Sequence, residues 1–125
     1  MVGKRSGARI TREPTDSRAG VADPGVLDAI VHGLVDELHP ESIYLFGSRA
    51  RGDASEDSDY DVLVVVEERT GAPFEMEHRS RLALRDVRRP MDIVIVTRNY
   101  FDWMLGAAAS LPATARREGR LLYGR

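Results

Sequence analysis

The stretch Gly47–Val66, GSRARGDASEDSDYDVLVVV, constrains this chain more than any other. The apolar run Ile43-Tyr44-Leu45-Phe46 precedes it, and it closes on a second run, Val62-Leu63-Val64-Val65-Val66. Both runs are short and rich in β-branched or aromatic residues, the pattern of strands. A Gly-Ser turn directly after one strand and a pair of aspartates at the start of the next put polar chemistry where strands meet loops. Asp59 and Asp61 lie two apart, so alternation along a strand turns both carboxylates one way and Tyr60 the other. Two anions roughly 6–7 Å apart at Cβ repel unless a cation lies between them. An all-oxygen donor set suits Mg²⁺, which keeps waters and phosphate oxygens in its shell. Taken alone, Asp-x-Asp serves as well for an acidic turn, because short motifs match by chance.

Gly47 has no Cβ, which lets backbone N–H groups close on an anion, and Ser48 adds a hydroxyl at the expected start of a short helix. Arg49 and Arg51 bring fixed positive charge into the same loop and Gly52 ends the turn. Together they offer a triphosphate both backbone and guanidinium partners. Singly, Ser48 is also an ordinary N-cap and the two arginines an ordinary solvated pair. A third carboxylate favours the site: Met91-Asp92-Ile93-Val94-Ile95-Val96 has the pattern of a buried strand with one acid in it. Alternation puts Asp92 on a face with Val94 and Val96, and a neighbouring strand at about 4.8 Å sets it beside Asp59 and Asp61. By itself Asp92 is also read as a strand-entrance residue accepting a backbone hydrogen bond.

Gly47-Ser48, ten intervening residues, Asp59-Tyr60-Asp61 and a later Asp92 in an apolar strand resemble the DNA polymerase β-type nucleotidyltransferase superfamily. The resemblance spans residues 24 to 123. Within it, the small size, Arg49-Ala50-Arg51-Gly52 and the closing Glu118-Gly119-Arg120-Leu121-Leu122-Tyr123 are similar to the minimal nucleotidyltransferases, the MNT antitoxins encoded beside HEPN-domain toxins. The resemblance implies an α/β (α+β) fold, a mixed β-sheet flanked by helices. It implies two Mg²⁺ ions on Asp59 and Asp61, with Asp92 as third carboxylate and general base, and Gly47 and Ser48 on the phosphates of a nucleotide, ATP first. It also implies transfer of AMP to a hydroxyl, a tyrosine of a HEPN-type toxin. Two other functions stay open: neutralising a toxin by binding alone, and modifying a small molecule as aminoglycoside nucleotidyltransferases do.

At 125 residues, 42% hydrophobic and 30% charged, the chain can bury one sizeable core and not two. No separate acceptor-binding domain is expected. A net charge of -2 and few aromatics argue against nucleic acid as the primary partner. The absence of cysteine excludes disulfides, thiolate zinc sites and cysteine nucleophiles. With no signal peptide and no membrane-length apolar run, a cytoplasmic location is expected. Residues 1–22 carry five basic and two acidic residues with no apolar period, against thirteen basic and eighteen acidic in the remainder. That stretch is expected to be a disordered basic tail preceding a nucleotidyltransferase domain over residues 23–125.

Asp23-Pro24 predicts a capped helix with Leu27, Ile30, Val31, Leu34, Val35 and Leu38 at helical spacing, ending near Pro40. Pro73 predicts a second helix to about Val87, with Met76, Ala83, Leu84 and Val87 inward and its alternating Glu and Arg residues on a solvated face. His32, His39 and His78 read as surface groups. A third helix is expected from Asn99 to Ser110, with Trp103 packed on the core; exposed, Trp103 would be an anchor for another protein.

Overall fold

The computed structural model describes residues 22–124. The expected tail therefore lies outside the described residues, apart from Ala22, which is buried against the core. Asp23 caps the first helix, α1 (Pro24–Leu38): its carboxylate accepts from the amides of Gly25 at 2.8 Å and Val26 at 3.4 Å. The helix ends at His39 in the left-handed region (φ 49), one residue before Pro40, which cannot continue it. Its buried stripe is Val26, Leu27, Ile30, Leu34 and Leu38.

The remaining elements in order are β1 (Ser42–Phe46), α2 (Gly47–Arg51), β2 (Tyr60–Val66), α3 (Glu75–Ala83), β3 (Met91–Thr97), α4 (Arg98–Met104), α5 (Leu111–Glu118) and β4 (Arg120–Gly124). They build a four-stranded mixed sheet in the order β3-β2-β1-β4. β1 runs antiparallel to β2 and β4, whereas β2 and β3 are parallel, so the chain needs the α3 crossover to return. Alternation sorts the strands between two cores. Ile43, Leu45, Val62, Val64, Val66 and Ile95 meet α1 together with Met76 and Leu84. Tyr44, Leu63 and Val65 meet Phe101 of α4 and Ala115 of α5 on the other face. Fully burying one such Leu, Ile or Phe side chain contributes about 1.5–3 kcal/mol.

Three expectations need correcting here. The second helix stops at Ala83 instead of Val87, and Ala83 is exposed. The buried face runs Met76, Ser80, Leu84; Ser80 fits within it because its hydroxyl donates to the Met76 carbonyl at 2.8 Å. Trp103 is 76% exposed. On a helix, residues two apart point roughly 200° from one another, and Phe101 holds the inward position, stacked on Tyr44 at 5.5 Å between ring centroids. The third helix also ends early, at Met104 instead of Ser110.

Among the described residues the outer edge of β3 has no strand partner. Arg69 covers part of it, donating to the Ile95 carbonyl at 3.0 Å while gripping both oxygens of Glu77 at 2.7 and 2.8 Å. This hydrogen bond from Arg69 is the main cause that holds the Glu77 carboxyl below its ordinary range.

Candidate active site

The parallel register pairs Asp61 with Asp92. Residues paired across adjacent strands share a face, so both carboxylates leave the sheet on the side of Leu63, Val65, Val94 and Val96 at about one strand spacing, 4.8 Å. Asp59 lies one residue before β2 and is exposed, outside the strand expected to carry it, and Tyr60 turns to the face opposite Asp61 and is buried. The Asp61 carboxyl is raised above its ordinary range by partial burial first, then by the charges of Asp92 and Asp59, with Arg51 opposing. Asp61 thus sits in the electrostatic field of the other two acids, which disfavours its charged form.

That field is what a divalent cation relieves, and the donors are all hard oxygens. Among the described residues no three His, Cys, Asp or Glu side chains close into a ready-made metal cage. Mg²⁺ does not require one, since it binds through one or two carboxylates and completes its octahedron with water and substrate phosphates. Asp59, Asp61 and Asp92 fit an open site of that kind.

Gly47 is fitted to Asp61 in two ways. Its φ of 74 lies in the left-handed region, and a Cβ placed on it would collide with the Asp61 carboxylate. Ser48 follows at the start of α2, whose N-terminus carries no side-chain cap. The Ser48 carbonyl accepts from Gly52 at 2.9 Å and Asp53 at 3.1 Å, closing the short helix on left-handed Gly52 (φ 85). Arg51 is exposed, 3.2 Å from Asp53, and near enough to Asp61 to lower its pKa.

Arg49, grouped in the sequence with the phosphate partners, is buried to 7% exposure. Its guanidinium donates to the carbonyls of Glu56 at 3.0 Å and Ser58 at 3.2 Å, and lies over the Tyr60 ring at 4.6 Å. The Tyr60 hydroxyl in turn accepts from the Asp23 amide at 3.0 Å. Arg49 therefore braces the loop that presents Asp59, and Tyr60 ties that loop to the cap of α1. The sequence motif alone does not name Tyr60 as a site-supporting residue; its inward-pointing place between two aspartates is the signal that does. Arg49→Met is expected to weaken ATP and AMP binding alike, by calorimetry, since it loosens the loop. A loss confined to ATP would return Arg49 to the outer phosphates.

The sequence profile of the family described as Polymerase beta, Nucleotidyltransferase matches residues 28–125. No curated protein matches the chain in sequence. Several solved structures share its fold. One is a toxin-antitoxin with AMP-PNP, at 23% identity and TM-score 0.54, covering 79% of this chain and 73% of that one. Another is the toxin-antitoxin MntA-HepT, at 19% identity and TM-score 0.54, covering 82% and 74%. A doubly substituted form of that assembly aligns at 20% identity and TM-score 0.57, covering 79% and 73%. With the motif's residues gathered at one end of the sheet and the family profile spanning most of its length, this chain belongs to the polymerase beta nucleotidyltransferase family.

Proposed function

We propose that this nucleotidyltransferase uses Mg²⁺-ATP to adenylylate a tyrosine hydroxyl on a HEPN-type toxin, and so acts as its cytoplasmic antitoxin. The observation that carries the reading is the Asp61–Asp92 register pair set against Gly47. The fold likeness to toxin-antitoxin structures, one of them with AMP-PNP, supports the choice of donor and partner.

In this reading Gly47 and Ser48 hold the outer phosphates through backbone N–H groups and the hydroxyl, and exposed Arg51 adds charge beside them. Asp59, Asp61 and Asp92 would hold the metal, which when bound neutralises the α-phosphate and polarises the attacking oxygen. Asp92 takes the proton of the acceptor hydroxyl. The new bond joins that oxygen to the α-phosphorus; the bond from α-phosphorus to the bridging oxygen breaks, and pyrophosphate leaves with the electron pair. Positioning and charge stabilisation supply the catalysis, as in other phosphoryl transfers.

Asp92→Ala is expected to lower transfer by about 10²–10⁴-fold, the usual worth of a general base, while leaving partner binding intact. Intact-mass spectrometry of the partner after incubation with Mg²⁺-ATP reads the outcome. A partner whose mass never changes, and whose toxicity wild type and Asp92→Ala suppress equally, would establish neutralisation by binding and overturn the enzymatic reading.

A further inference from the structure

A cleft of about 300 Å³ lies between α3 and the free edge of β3. Leu84, Met91 and Ile93 contribute apolar floor, and Arg81, Arg85, Arg88 and Arg89 contribute the wall. Glu77 also borders it, but its carboxylate is already held by Arg69. Among the described residues none of the four arginines forms an ion pair. Their hydrogen bonds there are to backbone, Arg85 to the Leu82 carbonyl and Arg89 to that of Arg88. Four exposed guanidiniums outside any ion pair, with Arg81 alone acting on the Glu77 charge, surround an apolar floor and make a cationic surface suited to anionic side chains.

Its place in the sheet says which substrate it serves. Strand order puts Asp61 of β2 between Asp92 of β3 and the Gly47–Ser48 turn after β1. An in-line displacement needs the attacking oxygen and the departing pyrophosphate on opposite sides of the α-phosphorus. With the outer phosphates at Gly47–Ser48, the acceptor arrives from the β3 side, where the cleft opens. Asp92 also borders the cleft, yet alternation turns its carboxylate to the face opposite Met91 and Ile93. The cleft and the carboxylates thus share a strand and not a face. A small acceptor seated among the arginines would stay on the wrong side of β3. An extended polypeptide, advancing about 3.3 Å per residue, can lie in the cleft, cross the free edge and present a hydroxyl to Asp92.

We propose that the arginine wall is the docking surface for an acidic segment of the protein acceptor, lying a few residues from the modified hydroxyl. The proposal rests on the reading of this site as a protein nucleotidyltransferase. A protein segment suits the cleft better than RNA, because the floor is aliphatic and the lining has no aromatic ring on which a base could stack.

The test uses the full chain with Mg²⁺-ATP and short labelled peptides. Each carries one tyrosine flanked by acidic, amide or basic residues, and a single-stranded RNA of equal charge serves as competitor. The acidic peptide is expected to bind tightest, with affinity falling as salt rises. The variant Arg81→Ala/Arg85→Ala/Arg89→Ala should lose about tenfold or more of that affinity, the corresponding triple lysine variant less, and ATP-dependent thermal stabilisation should match wild type in both. Equal affinity for all three peptides, or tighter binding of the RNA, would overturn the proposal. Arginine-dependent binding of the acidic peptide without AMP added to it would uphold the surface and count against the transfer reaction. AMP added to all peptides regardless of the arginines would do the reverse.

Discussion

Gly47→Ala is expected to destabilise the protein by about 2–4 kcal/mol and to abolish nucleotide-dependent stabilisation. A side chain at φ 74 costs about 1–2 kcal/mol by itself. The remainder comes from the collision between the new Cβ and the Asp61 carboxylate, which must be displaced from its place beside Asp92. Urea denaturation measures the first effect, and a thermal shift with Mg²⁺-ATP the second. A cycle separates the causes: in an Asp61→Ala background the same glycine substitution should cost only the backbone part, about 1–2 kcal/mol. Equal costs in both backgrounds would remove the contact from the account.

Asp61→Asn is expected to behave in the opposite way towards stability. Burial and two neighbouring carboxylates raise the Asp61 pKa, so the folded state holds its proton more firmly than the unfolded chain does. Stability therefore declines as pH climbs from the ordinary value of 3.8 through the raised one, and stays lower above it. The asparagine variant escapes that decline. In chelator at neutral pH it should be at least as stable as wild type, with the gap closing below pH 3.8. With Mg²⁺-ATP the order reverses: wild type gains about 2.7 kcal/mol at a hundredfold excess over Kd, and the variant gains little. Nucleotidyl transfer should fall by at least about a hundredfold. A variant that wild-type levels of Mg²⁺-ATP stabilise equally would end the assignment of this carboxylate to the metal.

Most of the site's frame is legible in residue order alone, because it depends on alternation. Apolar runs at 43–46, 62–66 and 93–96 name the strands, and parity then puts Asp61 and Asp92 on one face. What parity cannot supply is docking. Phe101 and Trp103 have equal claims to the core by composition, and the seat beside Tyr44 decides between them. Ser80 looks polar in sequence but satisfies its hydroxyl within α3, so the helix's buried face escapes an apolar pattern. Arg49 and Arg51 are indistinguishable as letters, and their opposite exposures follow from where the 53–59 loop folds back. Of the arginines of the cleft only Arg81 lies on α3; Arg85, Arg88 and Arg89 follow its end at Ala83, and the turn into β3 brings them to one wall, so in sequence they read as solvated charges.

The antiparallel register of Phe46 with Asp61 makes β1, α2 and β2 one continuous unit, whereas β3 joins it across the α3 crossover. Under the proposed function and docking surface, donor recognition is written in one contiguous stretch, Gly47 to Asp61, and recipient recognition in another, Arg81 to Asp92. A lineage can change its recipient by point changes in the second stretch, or replace it whole through a crossover in the exposed 67–73 turn, while the nucleotide half stays untouched. The pairing of Asp61 with Asp92 is the joint that any such exchange must reproduce.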